Sequence, residues 1–299
     1  MKEVQIGNKL FKIKDYYCSQ DKEYLPKDDG KLWLYINVCN ICQADCPFCI
    51  SPSIPEKDST FDILRFRRIL RDIKGHINGI SLTGGEPLLF PELVDKIVDV
   101  INSELPYGIE TDIVTNGVNL SRIMELHNIN KFDSIHVSRH MIMDEDNQKL
   151  MKAPTPTIKE IAAIASKIRD SGKLVFNCVL QKGGIDSIEK VKAFLEMAAK
   201  AKVLNTSFIG MFLANDYCKK SYVNPKNLDF DEGVGFSAWN HYYDHDFCSC
   251  STGSYNAKAG TVGYYYRCPG DKSANYARQL VYTTDNRLLA GFGGEEIQF

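Results

Sequence analysis

The sequence predicts an α/β fold in which parallel strands alternate with helices. From residue 32 to about residue 213, short β-branched or aromatic runs alternate with longer segments of helical periodicity. Such a succession predicts parallel strands that are joined by right-handed crossovers. Six units over this length suit either a partial (β/α)6 barrel or an open doubly wound sheet, because a closed eight-unit barrel usually needs roughly 250 residues.

Each predicted element has its own pattern. The strands are predicted from six runs rich in β-branched and aromatic residues, namely LWLYINV (32–38), GISLTGG (79–85), ETDIVTNG (110–117), SIHVSRH (134–140), LVFNCVLQ (174–181) and NTSFIGMFL (205–213). The helices are predicted from apolar residues at helical spacing in segments 61–73, 91–105, 121–129, 157–172 and 187–201. Asp186 and Ser187 can cap the last of these helices, and Gly172 follows the fourth.

The pattern changes after about residue 214. The chain becomes rich in Gly, Asn, Asp, Ser and Tyr, and a β-hairpin is predicted around residues 284–286. We therefore expect an N-terminal extension (1–31), a barrel or sheet domain (32–215) and a small irregular C-terminal subdomain (216–299).

Composition and charge narrow the class of protein. With 44% hydrophobic residues, 25% charged residues and a net charge of −2, the 299-residue chain resembles an ordinary globular protein, and nucleic acid is not expected as a partner. The N-terminus lacks the apolar core of a secretory signal, and no apolar stretch is long enough to cross a bilayer. We expect a cytoplasmic protein without membrane association, in which thiols stay reduced and metal or redox chemistry is favoured over disulfides.

Four of the ten cysteines lie within the eleven residues 39–49. The four cysteines form two Cys-x2-Cys pairs separated by only three residues. A structural zinc site is one interpretation, although the two pairs of a zinc site usually converge across a longer loop. Without Cys39, which we expect to be a buried strand residue, the spacing is Cys42-x3-Cys46-x2-Cys49. Three thiolates on one loop can hold three irons of a [4Fe–4S] cluster and leave the fourth iron without a protein ligand.

This cysteine loop after the first strand resembles that of the radical S-adenosylmethionine superfamily, whose hallmark is CxxxCxxC. The resemblance spans roughly residues 32–215 and implies a partial (β/α)6 barrel with S-adenosylmethionine chelated at the free iron. It is strengthened by a GGEP sequence (84–87), by TNG (115–117) and by a serine near the end of the fourth strand. On this resemblance the cofactor-binding residues are Phe48, Thr83, Gly84, Gly85, Glu86, Asn116 and Ser138, with Glu86 and backbone carbonyls facing the methionyl amine.

A second cysteine set consists of Cys248, Cys250 and Cys268. Free thiols are one interpretation. The layout is also similar to the Twitch or SPASM extensions of the superfamily, most of all to the type found in molybdenum-cofactor GTP cyclases, which implies a second, auxiliary [4Fe–4S] cluster. One residue rather than two separates the first pair, and the arginines of that type are reduced to Arg278 and Arg287, so GTP is a weak expectation as substrate.

The resemblance implies an enzyme that reductively cleaves S-adenosylmethionine to a 5′-deoxyadenosyl radical and abstracts hydrogen from a small-molecule or peptide substrate. The auxiliary cluster would assist substrate binding or electron transfer, and a flavodoxin- or ferredoxin-type protein would be the reductant. Candidate catalytic or substrate-contacting residues are Arg139, His140, Asn177, Cys178, Cys218 and Arg278. A structural imidazole at His140 and inert thiols at the two cysteines remain the alternatives.

Several other functions remain open. A peptide-modifying enzyme, by crosslinking or epimerisation, is one, although residues 1–31 are too few for a leader-peptide-binding domain. A glycyl-radical activase is disfavoured because no ferredoxin-like insertion separates residues 51 and 84. The non-enzyme alternative is an iron–sulfur electron-transfer protein or a zinc scaffold, in which GGEP and Ser138 would be incidental.

Overall fold

The computed structural model describes residues 2–13, 32–50, 61–105, 108–224, 227–228, 237–240, 252–257, 260–265 and 279–299. The strands are β1 (Lys2–Ile6), β2 (Lys9–Ile13), β3 (Leu32–Cys39), β4 (Ile77–Gly84), β5 (Glu110–Thr115), β6 (Ser134–Ser138), β7 (Leu174–Val179), β8 (Asn205–Ile209), β9 (Ser237–Asn240), β10 (Thr252–Ala257), β11 (Gly260–Tyr265), β12 (Gln279–Tyr282), β13 (Leu288–Leu289) and β14 (Glu296–Ile297). The α-helices are α1 (Ile63–Ile73), α2 (Pro91–Glu104), α3 (Asp144–Met151), α4 (Ile158–Ala165), α5 (Ile188–Lys200) and α6 (Asp216–Ser221).

The centre of the fold is a parallel sheet in which β3 to β8 are neighbours in chain order. Strand β12 pairs in parallel with β3, and β11 pairs in parallel with β8, so the sheet extends at both sides of the six central strands. Antiparallel strands β13 and β14 follow at one edge, and β10 and β9 at the other. The α/β expectation, with six βα units forming a partial barrel, is confirmed.

The two faces of the central sheet differ in chemistry. Leu34 and Ile36 of β3 are fully buried on the helix side, whereas the alternate residues Trp33, Tyr35 and Asn37 line a cavity on the inner side. Helix α1 covers the outer face with a stripe of four buried residues at helical spacing, which are Phe66, Ile69, Leu70 and Ile73. The apolar core therefore lies between sheet and helices, and the inner side of the sheet is free to form a site.

Local signals explain the ends of several helices. The Asp62 side chain accepts hydrogen bonds from the backbone N–H groups of Leu64 and Arg65, which caps α1. Ser187 caps α5 by accepting from the N–H of Lys190 at 3.4 Å, as the sequence predicts. Thr157 and Glu160 form a reciprocal capping box at α4.

Two predicted helices differ in the structure. Segment 121–129 forms short 3-10 turns, Leu120–Glu125 and Ile129–Lys131, rather than an α-helix. Its polar groups are drawn to neighbouring elements, since Arg122 donates to the carbonyls of Leu88 and Leu89 and Asn128 donates to Asp99.

The helix expected over 157–172 already ends at Ala165. The Asp170 side chain accepts from the N–H of Gly172, a local turn that competes with helical hydrogen bonding. Helices α3 and α6 and the N-terminal hairpin β1–β2 were not predicted. Val4, Ile6 and Phe11 of this hairpin are buried in the main core.

The C-terminal segment completes one side of the barrel. Strands β12 and β13 form the predicted hairpin, with Asn286 at a φ of 64° in its turn. The Asn40 side chain donates to Thr284 Oγ1 at 2.6 Å, which joins this hairpin to the chain after β3. The described strands after residue 215 thus belong to the same sheet as the barrel. Within the residues that the structure describes, no helix has the length and apolar content needed to cross a bilayer.

Replacing Leu280 with alanine tests the pairing of β12 with β3. Leu280 is 0% exposed, so Leu280→Ala should lower the free energy of unfolding by about 2–5 kcal/mol in denaturant titrations. Leu64, at 75% exposed, is the matched control, and Leu64→Ala should change it by less than about 0.5 kcal/mol. Equal effects of the two substitutions would show that β12 is not packed in the core.

Candidate functional site

A cavity of about 510 Å³ lies on the inner side of the sheet and extends to the carboxyl ends of its strands. This volume is within the usual range for a small-molecule or cofactor site. Its walls include the cysteine loop after β3, the GGEP turn after β4 and the ends of β5 to β8. The carboxyl ends of parallel strands are where α/β folds place their ligands.

Three cysteines of the loop line this cavity. Cys42 and Cys46 are half-buried and Cys49 is exposed. Cys39 instead is buried, and its thiol donates to the carbonyls of Ile41 and Glu86 at 3.3 Å each. The expected separation between one strand cysteine and three loop cysteines is therefore present.

The three loop thiols are close enough to influence one another. Burial, followed by the neighbouring Cys49 and Cys42, raises the pKa of Cys46 to about 12. A bound metal ion would compete with the protons of these thiols, because cysteine binds metal as the deprotonated thiolate. Within the described ranges, no three His, Cys, Asp or Glu side chains surround a single ion position. A [4Fe–4S] cluster distributes its thiolates over separate irons.

The cysteine loop and the GGEP turn are joined by backbone hydrogen bonds. The N–H of Gly85 donates to the carbonyl of Cys39 at 2.6 Å, and the N–H of Glu86 donates to that of Ile41 at 2.8 Å. A Cβ on Gly85 would lie 2.1 Å from the Ile41 carbonyl oxygen. Gly84 has a φ of +123°, which side chains rarely adopt. Both glycines are thus required by this close approach of two backbones.

Glu86 connects the GGEP turn to β5. Its side chain is fully buried and accepts from Thr115 Oγ1 at 2.7 Å, from the N–H of Asn116 at 2.6 Å and from the N–H of Leu88 at 3.0 Å. Burial raises the pKa of Glu86, although these three donors oppose the shift. Glu86 is not among the residues that line the cavity. Its carboxylate therefore holds two strand ends together, whereas the sequence resemblance placed it on a ligand amine.

Asn116, which follows β5, hydrogen-bonds to the cysteine loop. Its Nδ2 group donates to Cys42 Sγ at 3.3 Å and to Gln43 Oε1 at 3.1 Å, while its Oδ1 accepts from the N–H of Val118. An N–H donor to a ligating sulfur stabilises thiolate and tunes the reduction potential of a cluster. The structure thus places this residue against the cysteine loop.

His140 and Phe48 form an aromatic pair at the cavity wall, with ring centroids 4.8 Å apart in an edge-to-face arrangement. The N–H of Val179 donates to His140 Nδ1 at 3.1 Å. Burial, followed by the charge of Arg139, lowers the pKa of His140 to about 3. The imidazole is therefore neutral near pH 7, with Nδ1 as acceptor and the hydrogen on Nε2.

The remaining sequence-derived residues fall into three groups. Thr83, Ser138 and Asn177 line the cavity. Three others do not line it: Arg139 is buried with its guanidinium bound by Asp144 and the Met141 and Ile142 carbonyls, and Cys178 and Cys218 are fully buried. Cys248, Cys250, Cys268 and Arg278 lie outside the described residues.

Sequence reasoning missed the polar inner face of the barrel. The cavity is also lined by Asn37, Ser81, Glu110, Asp112 and His136, none of which was selected from the sequence. These residues alternate with buried residues, most of them apolar, along β3 to β6. A period-two analysis of each predicted strand would have found them, because alternate side chains point to the same face.

Comparison with known proteins adds an independent observation. A family model described as "Radical SAM superfamily" matches residues 36–195. Molybdenum cofactor biosynthesis protein 1 of Bos taurus is 34% identical over 99 residues, which is 31% of this chain and 15% of that protein. GTP 3′,8-cyclase of Aquifex aeolicus is 25% identical over 197 residues, which is 62% of this chain and 60% of that protein. The chain thus spans less than two thirds of these curated relatives.

A solved structure has a similar fold. The crystal structure of Streptococcus suis SuiB bound to S-adenosylmethionine aligns with a TM-score of 0.56 at 16% identity, covering 87% of this chain and 60% of that one.

Substituting Gly85 tests the close approach between the GGEP turn and the cysteine loop. Gly85→Ala should displace the cysteine loop, because its Cβ would overlap the Ile41 carbonyl, and should lower the free energy of unfolding by about 1–3 kcal/mol. The amount of iron that the variant retains after anaerobic reconstitution should fall as well. Gly75→Ala is the control, since its Cβ would meet no atom within 4 Å. If Gly85→Ala had the same iron content and stability as Gly75→Ala, the close approach at Gly85 would be contradicted.

Replacing Glu86 with glutamine tests its connecting role. Gln presents an NH2 group to donors that now bond a carboxylate, so Glu86→Gln should cost about 1–3 kcal/mol of unfolding free energy. The exposed Glu196 of α5 provides the control, and Glu196→Gln should change stability by less than about 0.5 kcal/mol. Denaturant titration distinguishes the two outcomes, and no difference between them would count against the role.

Proposed function

The chain belongs to the radical SAM superfamily, and from that premise we propose that Cys42, Cys46 and Cys49 hold a [4Fe–4S] cluster beside a bound S-adenosylmethionine. Membership implies an enzyme with these two cofactors. The single observation that carries the proposal is that the three thiols and the glycines of GGEP line one cavity. When bound, the cluster and S-adenosylmethionine supply a 5′-deoxyadenosyl radical that abstracts hydrogen from a substrate.

The donor set fits the cluster. Three cysteine thiols on one loop are the ligands that iron–sulfur clusters take, and three of them leave one iron open. The loop is fixed from behind by the hydrogen bonds of Gly85 and Glu86. Asn116, which donates to Cys42 Sγ, is positioned to stabilise the bound thiolate. This arrangement favours a cluster whose three protein ligands all come from one side.

The neighbouring residues would bind and orient the cofactor. Gly84 and Gly85 have no side chains and line the cavity with their backbone, so their carbonyl groups can accept hydrogen bonds from the methionyl amine. Thr83 and Ser138 offer hydroxyl groups for the carboxylate and the ribose. Phe48, held edge-on by neutral His140, forms an apolar wall that excludes water beside the cysteine loop. Glu86 acts through Asn116 as a positioning residue.

The substrate is a small molecule or a peptide side chain that enters the same cavity. Some relatives are named GTP 3′,8-cyclases. However, none of the described residues that line the cavity is a lysine or an arginine. A triphosphate binds by charge-assisted hydrogen bonds from such cations, so this lining does not favour GTP.

The C-terminal cysteines complete the proposal. Residues 32–215 would form the catalytic barrel, and residues 216–299 would extend its sheet and hold an auxiliary [4Fe–4S] cluster through Cys248, Cys250 and Cys268. The supporting observation is the spacing of these three cysteines in the sequence. That cluster would assist substrate binding or electron transfer, with reduction supplied by a flavodoxin- or ferredoxin-type protein.

Anaerobic reconstitution tests this function. The protein should bind about eight irons and eight sulfides and should release 5′-deoxyadenosine when dithionite and S-adenosylmethionine are added. Cys46→Ala should abolish 5′-deoxyadenosine, whereas Cys218→Ala, at a buried cysteine outside the cavity lining, should retain it.

The same measurement separates the two proposed clusters. The triple Cys248, Cys250 and Cys268 variant to alanine should retain about four irons and still cleave S-adenosylmethionine. A wild-type protein with about four irons would remove the auxiliary cluster. Zinc without iron, or iron without 5′-deoxyadenosine, would refute the proposed enzyme.

A further inference from the structure

The inner face of the barrel contains a buried carboxylate of which one oxygen lacks a hydrogen-bond partner among the described residues. Asp112, the third residue of β5, lines the cavity and is only 6% exposed. The Ser81 side chain hydrogen-bonds to this carboxylate, but within the part of the chain that the structure describes Asp112 Oδ1 has no hydrogen-bond partner. Leaving a buried carboxylate oxygen without a donor is costly. Asp112 Oδ1 therefore offers a hydrogen-bond acceptor to a ligand in the cavity.

A second unpaired acceptor faces the same cavity. Asn37 of β3 also lines it, and its buried Oδ1 has no hydrogen-bond partner in the described ranges of the chain. Asn37 pairs with Thr83 whereas Asp112 pairs with Ser81, so Asn37 lies two residues nearer to the carboxyl ends of the strands. Glu110 begins β5 two residues before Asp112, lies on the same face and lines the cavity from the solvent-exposed end of the strand. No lysine or arginine balances these acceptors among the described lining residues.

The basic side chain of His136 lies beside Asp112, and its ring is already engaged in hydrogen bonds. Its Nε2 lies 2.9 Å from Ser134 Oγ and 3.9 Å from Asp112 Oδ2, and its Nδ1 lies 3.0 Å from Asn177 Oδ1. Neither ring nitrogen reaches Asp112 Oδ1. Burial raises the pKa of Asp112, and His136 and Ser81 offset part of that shift. His136 thus leaves Asp112 Oδ1 without a donor.

We propose that Asp112, with Glu110, forms a subsite for a cationic nitrogen of the substrate, a primary ammonium or a guanidinium. This inference rests on the proposed function, because it assumes that the substrate occupies the cavity beside the cysteine loop. A cation supplies both charge and several N–H donors, which is what two carboxylates can bind. Phosphate or carboxylate groups are repelled there.

The subsite lies deeper in the barrel than the proposed cofactor position. Asp112 precedes Thr115, the last residue of β5, by three residues, or roughly 10 Å along the strand. The cysteine loop and GGEP lie at the carboxyl ends of the strands. A substrate would therefore insert its cationic end into the barrel and leave its more distant carbons near the cysteine loop.

Small probes test this subsite on the reconstituted full-length protein. Binding of 1-butylammonium and 1-butylguanidinium would be compared with that of neutral 1-butanol by ligand-observed NMR, in the presence of saturating S-adenosylmethionine. The cations should bind at least about tenfold more tightly than the alcohol. The isosteric Asp112→Asn variant should lose this preference, and Glu110→Gln should reduce it.

The control variant removes a carboxylate elsewhere. Asp72 is exposed on the outer helix α1, so Asp72→Asn should keep the full preference for the cations. Equal binding of cation and alcohol by the wild-type protein, or no binding of either, overturns the proposal without any variant. So does a preference that survives in Asp112→Asn, or one that S-adenosylmethionine abolishes, since the probe would then occupy the cofactor position.

The two proposals fail in different ways. Production of 5′-deoxyadenosine would be measured on the same preparation. Cleavage of S-adenosylmethionine without any preference for cations refutes the cation subsite and leaves the proposed function intact. A preference that depends on Asp112, in a protein that does not cleave S-adenosylmethionine, refutes the proposed function and leaves the subsite.

Discussion

Two backbone hydrogen bonds, from Gly85 to Cys39 and from Glu86 to Ile41, fix the position of the cysteine loop. The buried carboxylate of Glu86 extends this contact to the N–H of Asn116, and the Asn116 side chain returns it to Cys42. The ends of β3, β4 and β5 are thus held in a closed set of hydrogen bonds. Because only glycine permits the approach at position 85, the placement of the thiols depends on one missing side chain.

The barrel divides its chemistry between the two faces of one sheet. Apolar residues on the outer face pack against the helices and stabilise the fold, while the inner face carries polar side chains around a cavity. The inner face therefore contributes little to the apolar core and is available for ligands. Our two proposals place a sulfonium cofactor at the strand ends and a cationic substrate group deeper inside.

The sequence predicted the parts of the fold that depend on local pattern. Strands β3 to β8, helices α1, α2 and α5 and the cysteine loop follow from periodicity, capping and spacing. Segment 121–129 could not be predicted correctly, because tertiary hydrogen bonds of Arg122 and Asn128 outweigh its helical periodicity. The pairing of β12 with β3 depends on a contact between distant residues, which local patterns do not encode.

The candidate site could be predicted in part for the same reason. Ser138 and Arg139 are adjacent in the sequence, yet strand alternation puts the first in the cavity and turns the second towards Asp144. The role of Glu86 as a connector depends on β5, so its sequence motif alone does not reveal it.

The central claim is that these three thiols hold a cluster with one iron open to S-adenosylmethionine. Electron paramagnetic resonance of the reconstituted, dithionite-reduced protein tests it most directly. The spectrum should change when S-adenosylmethionine is added, and Cys46→Ala should eliminate the response. A reduced cluster with a spectrum that S-adenosylmethionine leaves unchanged would contradict the account.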